Sequence, residues 1–387
     1  MSSFFSGILK LLSVVMLSSA YCLTASEGAG KSSPAVIGIG ASYTAPSEAL
    51  GEDQHLLVSL PNDYDSSGKD YPLLIFPGSN WHDRFAMIAS TLRYMTEMGQ
   101  IPPMILVGID LPHGNFGLIP QKEEDGGTCG ADNYIAMLTN EVIPFIDGEF
   151  RTNGFRIFYG ASNCGIFAVY ALMEGQLPVN AVIASSPMIG WNPELIFSKT
   201  QQALEAKDHP GRFLYLIESD DDYGRVTRHF PDYVNLLKES APEWLSWNSD
   251  VLPNTGHVPE ADVPSGLRAI FPDYNPPVEL HTLQAVVDHF QTLSERYGFE
   301  IQAPFALIHN VGANHVFSGD LDEGQRIYEH IAAHYNEPVI AYSLLGLVHW
   351  KKGEIEEAKT FYKKALAIDP NHRRSLDALK ELEAEGK

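Results

Sequence analysis

Short runs of apolar residues alternate with amphipathic stretches through the first two thirds of the chain. The runs at 72–76 and 104–109 are almost wholly apolar, as is typical of strands buried on both faces. The stretches at 85–98 and 131–145 have the residue spacing of helices. Strands that alternate with helices predict an α/β fold, with a mainly parallel sheet and helices on both faces. Further strands are predicted at 56–61, 155–159, 181–184, 213–217 and 245–252, and a further helix at 166–173.

The C-terminal part of the chain repeats itself with a period of 34 residues. This is the period of the tetratricopeptide repeat (TPR), a pair of antiparallel helices. The first copy has diverged, because Gly324 and Ile331 stand where alanine is usual. We therefore expect an all-α extension of two TPR-like repeats and a terminal helix over 305–387. The pairs that carry the period are Gly312 and Gly346, Gly319 and Gly353, and Tyr328 and Tyr362.

A larger domain over 34–275 is expected to precede a helix and connector at 281–304, with the helix itself at 282–297. Two repeats are few for independent stability, so we expect them to pack on this helix and on the larger domain. Recruitment of a protein partner through the repeats is the less favoured interpretation.

The N-terminus has the pattern of a secretory signal peptide. Lys10 precedes an apolar run from Leu11 to Leu17, and small residues follow it. We predict a signal peptide over 1–26 and export to the periplasm or the medium. Cys22 could carry a lipid anchor, but Tyr21 stands where a small residue is expected, so this alternative is disfavoured. No other segment is apolar for long enough to span a bilayer.

Charge and cysteine content narrow the classes of function. The net charge of −23 argues against nucleic acid and anionic membrane surfaces as partners, since both require a basic surface. Apolar residues at 44% and charged residues at 19% fit a folded globular protein. The three cysteines form no zinc-binding spacing, so no metal site is predicted. Whether Cys129 and Cys164 pair is left open.

The central chemical signal is the segment 159–165, between a predicted strand and a predicted helix. A serine in this setting is typical of a nucleophile elbow, a sharp turn that exposes its hydroxyl at the edge of the sheet. Gly160 provides the small residue that the turn needs before Ser162. After the serine, Cys164 replaces the usual glycine and Gly165 follows it. A serine that merely caps the helix is the alternative.

A serine nucleophile needs a histidine base and a carboxylate that orients it, and in this fold they follow the serine as acid and then histidine. After the strand at 213–217, Asp222 is the preferred acid and Asp220 its rival. After the last strand, His257 lies in a loop where the base belongs. His209 and His229 precede it in the chain, but neither follows a strand.

An oxyanion hole needs two backbone N–H groups aimed at the developing charge. Asn163, directly after the serine, is expected to supply one of them. The loop after the strand at 72–76 is expected to supply the other, with Ser79 as the donor and Gly78 allowing close approach.

Several segments resemble the putative-esterase family of α/β-hydrolases, which holds enterochelin esterases and esterase D. The resemblance spans roughly residues 47–372 and includes a family branch with C-terminal TPR-like repeats. It implies an α/β-hydrolase fold for the larger domain. The segments that carry it are 71–81, in which Phe76-Pro77-Gly78 stands for Leu-Asp-Gly, then 101–109, 141–152, 186–191, 256–259 and 265–267.

Three departures from the family pattern concern the substrate pocket. Ala161 and Cys164 change the usual Gly-His-Ser-x-Gly-Gly, and Pro77 replaces the loop aspartate. Residues 112–117 replace an arginine-rich segment.

The nucleophile, the base and an acid are all present in the sequence. We therefore expect an exported serine esterase that hydrolyses small-molecule carboxylic esters through an acyl-enzyme, with no cofactor. The alternative is a non-catalytic scaffold with a hydrolase fold that acts through its repeats.

Overall fold

The computed structural model describes residues 37–111, 115–120, 130–206, 210–276 and 279–385. The predicted signal peptide, Cys22, Cys129 and His209 lie outside these ranges. The chain divides into two compact units. The first comprises the described parts of Met1–Tyr64, Lys69–Arg93 and Pro103–Ile270, and the second those of Asp65–Gly68, Tyr94–Pro102 and Phe271–Lys387.

The first unit is built on one eight-stranded sheet in the order β1-β2-β4-β3-β5-β6-β7-β8. Strand β2 pairs antiparallel with both of its neighbours, and all the other pairs are parallel. This is the mainly parallel sheet that the sequence predicted. The strands are β1 Ala41–Ala45, β2 Gln54–Ser59, β3 Tyr71–Pro77, β4 Ile105–Ile109, β5 Thr152–Ala161, β6 Ala181–Ser185, β7 Arg212–Ser219 and β8 Leu245–Leu252.

The central strands are buried because their residues are apolar on both faces. Every residue of β3, β4 and β6 is buried, as the uninterrupted apolar runs predicted. Strand β8 instead alternates between exposed and half-buried positions along most of its length, as an edge strand does. Strand β1 pairs with β2 at the opposite edge, and the sequence prediction had not assigned it.

Helices cover the sheet between successive strands. The predicted helix at 131–145 is interrupted by a π-helical turn, Leu138–Val142, which ends two residues before Pro144. Proline has no N–H to donate back along the helix, so the regular bonding pattern changes at that point. The helices up to Ile270 are α1 Tyr64–Ser67, α2 His82–Glu97, α3 Gly130–Met137, α4 Ile143–Glu149, α5 Asn163–Glu174, α6 Pro193–Leu204, α7 Gly224–Thr227, α8 Phe230–Ser240 and α9 Asp262–Ile270, with short 3₁₀ turns at Asn115–Leu118 and Ile189–Trp191.

The second unit is helical and repeats with the predicted period. Gly312 and Gly346 leave room for the aromatic rings of Tyr328 and Tyr362, since an added Cβ would lie 3.2 Å and 2.8 Å from those rings. The same glycine–tyrosine contact between helices therefore occurs in each of the two copies. The helices are α10 Leu283–Tyr297, α11 Phe305–Ser318, α12 Leu321–His334, α13 Pro338–Lys352, α14 Ile355–Ile368 and α15 Arg373–Glu385.

Within the described ranges, no helix combines the length and the apolar character needed to cross a bilayer.

Candidate active site

A sharp turn joins β5 to α5 and places Ser162 at its apex. The backbone of Ser162 has φ 58° and ψ −119°, a positive φ that residues other than glycine rarely adopt. Its N–H donates to the Ser185 carbonyl at 2.9 Å, and its carbonyl accepts from the Gly165 N–H at 2.9 Å. Hydrogen bonds on both sides thus hold the strained conformation that a nucleophile elbow requires.

Glycine is needed at two positions around this turn. A Cβ on Gly160 would collide with the Cys164 carbonyl oxygen. A Cβ on Gly165 would lie 2.8 Å from the Ser185 carbonyl oxygen and 3.2 Å from the Cα of Pro187. Gly160 and Gly165 are therefore the positions of close backbone approach. Position 164, between Ser162 and Gly165, can carry a side chain.

The Cys164 side chain occupies that position and belongs to the core. It is a free thiol, 1% exposed, within the main hydrophobic cluster of the first unit. Burial raises the pKa of the Cys164 thiol to about 12. The thiol is therefore protonated at neutral pH and is a packing group, because only the thiolate is strongly nucleophilic.

Ser162, His257 and Asp222 form a continuous line of hydrogen bonds. The Nε2 atom of His257 lies 2.9 Å from Oγ of Ser162, and its Nδ1 atom lies 2.7 Å from Oδ1 of Asp222. The Asp222 side chain is fully buried, and that of His257 is 23% exposed. Residues that the sequence placed in three separate loops are thus brought together in the order serine, histidine, carboxylate, which is the order that a catalytic triad requires.

Ser186, which the sequence analysis included only in a segment of family resemblance, links Asp222 to the loop of His257. Its hydroxyl donates to Oδ2 of Asp222 at 2.5 Å and accepts from the Val258 N–H at 2.9 Å. The Tyr223 N–H donates to the other carboxylate oxygen at 2.6 Å. The carboxylate is therefore held on both oxygens. A serine directly after β6 was the only sequence signal for this contact.

The neighbouring acids bind the backbone of the histidine loop. Oδ1 of Asp220 accepts from the Asn254 N–H at 2.9 Å. Asp221 accepts from the Gly256 N–H at 2.9 Å and from the Ser219 hydroxyl, and these hydrogen bonds lower the pKa of Asp221. Among the acidic residues of the described structure, Asp222 alone hydrogen-bonds to the imidazole of His257.

The rival histidine His229 is not linked to the serine in the described structure. His229 is the residue before α8, and no hydrogen bond joins it to Ser162. His209 lies outside the described residues.

The two predicted oxyanion donors follow β5 and β3. Asn163 is the first residue of α5. Ser79 is fully buried, its hydroxyl donates to Asp110, and its N–H donates to the Ile109 carbonyl at 3.2 Å. To act as an oxyanion donor, the Ser79 N–H would have to share this long hydrogen bond, so its function stays a prediction.

Aromatic and cationic side chains surround the hydrogen-bonded line. The ring of Tyr223 lies 4.7 Å from the ring of His257 and is 62% exposed. The indole N–H of Trp191 donates to Oδ1 of Asn163 at 2.8 Å. The guanidinium of Arg225 lies over the Trp191 ring, 3.7 Å from its centroid. The sequence analysis had named Trp191 only as part of the family resemblance.

Glu218, on β7, is a second buried acid near Asp222. It is 3% exposed, and its Oε2 atom has no hydrogen-bond partner. Burial, and then the negative charge of Asp222, raise the pKa of Glu218 to about 7. No cluster of potential metal ligands occurs in the part of the chain that the structure describes.

Residues 47–222 match the family described as putative esterase, and residues 339–372 match the tetratricopeptide repeat. The chain carries a putative-esterase domain. This confirms the family resemblance seen in the sequence and the repeat at the C-terminus. The esterase match includes Ser162 and Asp222, whereas His257 lies beyond its end. Comparison with curated proteins gave no match.

Solved structures show the same fold at low identity. The IroE-like serine hydrolase from Shewanella oneidensis is similar, with a TM-score of 0.65, 21% identity, and coverage of 76% of this chain and 98% of that one. An uncharacterised protein from Capnocytophaga ochracea has a TM-score of 0.58 at 18% identity, with 84% and 92% coverage. The siderophore hydrolase EstA from Aspergillus nidulans has a TM-score of 0.53 at 18% identity, with 64% and 99% coverage. The esterase domain therefore has the predicted α/β-hydrolase fold, followed by a helical TPR-like extension.

Proposed function

We propose that the protein is a serine esterase that hydrolyses carboxylic esters of small molecules through an acyl-enzyme. The observation that carries the proposal is the unbroken line of hydrogen bonds from Asp222 through His257 to Ser162, at a strained turn in a putative-esterase domain. A structural serine that only capped α5 would not need this backbone strain, and its side chain makes no capping hydrogen bond.

The first half of the reaction forms the acyl-enzyme. Oγ of Ser162 attacks the ester carbonyl carbon while its proton moves to Nε2 of His257. The carbonyl oxygen becomes an oxyanion, for which the N–H groups of Asn163 and Ser79 are the predicted donors. The C–O bond to the alcohol then breaks, and His257 gives its proton to the departing alkoxide.

The second half releases the acid. Water attacks the acyl carbon and passes a proton to His257, which returns it to the serine as the acyl–Oγ bond breaks. Asp222 stays ionised and stabilises the transient imidazolium. Its two other hydrogen bonds, from Ser186 and Tyr223, hold the carboxylate in the orientation that fixes the ring. No step requires a cofactor.

The sequence also supports export as part of the proposal, through the signal-like segment at 1–26. The scaffold alternative is less favoured. A scaffold function gives no reason for Ser162, His257 and Asp222 to be linked by hydrogen bonds. It also gives no reason for both carboxylate oxygens of Asp222 to accept hydrogen bonds.

Trapping of the acyl-enzyme tests the proposal. The full chain is mixed with 4-nitrophenyl butyrate, and the reaction is quenched within the time of one turnover. Mass spectrometry of the intact protein and of its peptides then locates any added group. We expect one butyryl group on the peptide that contains Ser162, with release of 4-nitrophenol. Ser162→Ala should lose both signals, while Ser198→Ala, an exposed serine on α6, should keep them. Retention of more than about a tenth of the activity by Ser162→Ala would refute the assignment.

A further inference from the structure

We infer that Trp191 and Arg225 form a recognition site for a substrate carboxylate beside the nucleophile, so that the enzyme prefers anionic esters to neutral ones of the same shape. This inference rests on the proposed esterase function and names a class of substrate for it.

Trp191 is held directly beside the nucleophile elbow. It ends the 3₁₀ turn after β6, and its indole N–H donates to the side chain of Asn163 at 2.8 Å. Asn163 is the residue after Ser162, so the indole is tied to the residue next to the reacting hydroxyl. The Trp191 ring therefore has a fixed position at the side of the site.

Arg225 completes the site from the loop that carries the acid. It lies on α7, three residues after Asp222, and its guanidinium carbon is 3.7 Å from the Trp191 ring centroid. The two loops also meet at the backbone, since a Cβ on Gly190 would lie 2.7 Å from the Arg225 carbonyl oxygen. The backbone of Arg225 is thus held close to Gly190, and its guanidinium lies against the Trp191 ring.

Among the residues that the structure describes, the charge of Arg225 has no ionic partner. Arg84 and Arg156 each form an ion pair with an aspartate, at 2.5 Å and 2.6 Å. Arg225 is exposed, and in the described structure it forms no ion pair and donates no hydrogen bond. Stacking uses the face of a guanidinium and leaves its N–H donors at the edge, where they can bind a carboxylate with two parallel hydrogen bonds.

The overall charge of the chain makes such a site significant. With 49 acidic and 26 basic residues, the protein repels anionic substrates in general. An anionic ester therefore needs a local cation to be retained near Ser162, whereas a neutral ester does not. The Trp191 ring lies against the face of the guanidinium, whose planar fork matches the geometry of a carboxylate.

Matched pairs of esters test the preference. One pair is 4-nitrophenyl adipate and its primary amide, 4-nitrophenyl adipamate, with the charge on the acyl part. The other is 3-carboxyphenyl butyrate and 3-carbamoylphenyl butyrate, with the charge on the leaving part. In at least one pair we expect kcat/KM to favour the carboxylate about tenfold, mainly through KM, as one charge-assisted contact allows.

Variants locate the preference at Arg225. Arg225→Gln should abolish it, by lowering kcat/KM for the carboxylate ester to about that for its amide. Arg225→Lys should restore part of it, because an ammonium keeps the charge but not the two-pronged geometry. Arg212→Gln is the matched control. It removes the same charge at the start of β7, the end of the strand away from the catalytic loops, and should keep the preference.

A binding measurement separates failure of this inference from failure of the esterase assignment. Adipate should change the tryptophan fluorescence saturably in the wild type and not in Arg225→Gln, and the neutral adipamide should have no effect. If no ester is hydrolysed but adipate binds in this way, the esterase function fails and the carboxylate site stands. If esters are hydrolysed with no preference, or if adipate binding survives Arg225→Gln, the carboxylate site is refuted and the esterase remains.

Discussion

Two fully buried aspartates in the esterase domain, Asp222 and Asp262, have opposite kinds of partner. Asp222 accepts hydrogen bonds from His257, Ser186 and Tyr223. Asp262 accepts from Tyr159 at 2.7 Å and pairs with Arg84 at 2.5 Å. Both side chains have no exposed surface.

The difference lies in whether the partner can exchange a proton. Arginine keeps its charge at every working pH, so the Arg84–Asp262 pair can only hold elements together, here α2, β5 and α9. An imidazole can gain and lose a proton near neutral pH, so Asp222 is bonded to a group that can do chemistry. We therefore expect Asp222 to serve catalysis and Asp262 to serve stability.

The strongest test of this contrast is Asp222→Asn. An amide can still hydrogen-bond to Nδ1, but it favours the wrong tautomer of His257 and cannot stabilise the imidazolium. We expect kcat to fall by about 10³- to 10⁴-fold, with little change in the melting temperature. Ester turnover and thermal unfolding measure both quantities. Asp220→Asn is the matched control and should be mild, and the reverse result would make Asp220 the catalytic acid.

Asp262→Asn should show the opposite pattern. It leaves the Arg84 guanidinium without its counter-charge in a largely buried place, and breaking a buried pair in this way costs about 3–5 kcal/mol of unfolding free energy. The folded fraction should keep kcat within a few fold. Urea unfolding gives the first quantity and turnover at low temperature the second. A large fall in kcat with unchanged stability would place Asp262 in the chemistry.

Glu218→Gln should alter the pH dependence of stability. An unfolded glutamate titrates near 4.5, whereas the pKa of Glu218 in the folded protein is about 7. Between these values the folded state binds more protons than the unfolded state, so this residue lowers stability as pH rises through the window. The glutamine variant should therefore gain stability relative to the wild type between pH 5 and pH 8, by at most about 3 kcal/mol. Parallel melting curves with the same pH trend in both proteins would contradict this.

Cys164→Gly should have the smallest effect. Glycine is the usual residue at this position of the elbow, but here the Cys164 side chain is buried and Gly165 already makes the close approach. We expect a loss of about 1–2 kcal/mol in stability with activity retained. Loss of activity in a stable variant would give the thiol a function of its own.

The sequence located the elbow and the two loops of the candidate triad because each follows a strand in the order that the α/β-hydrolase fold requires. Other parts of the site depend on contacts that chain order does not reveal. Ser186 meets Val258 across 72 residues, and Arg84 meets Asp262 across 178. No sequence pattern pointed to Arg225, because its proposed function depends on its contact with the Trp191 ring.

Labelling with a fluorophosphonate probe tests the central claim most directly, since the probe reacts with a serine only where a base activates it. We expect one phosphonyl group per chain on the peptide that contains Ser162. Labelling should be abolished in Ser162→Ala and strongly slowed in His257→Ala and Asp222→Asn, while Asp262→Asn should still label at a temperature where it is folded. Absence of labelling in the folded wild-type protein, or labelling that persists in Ser162→Ala, would contradict the account.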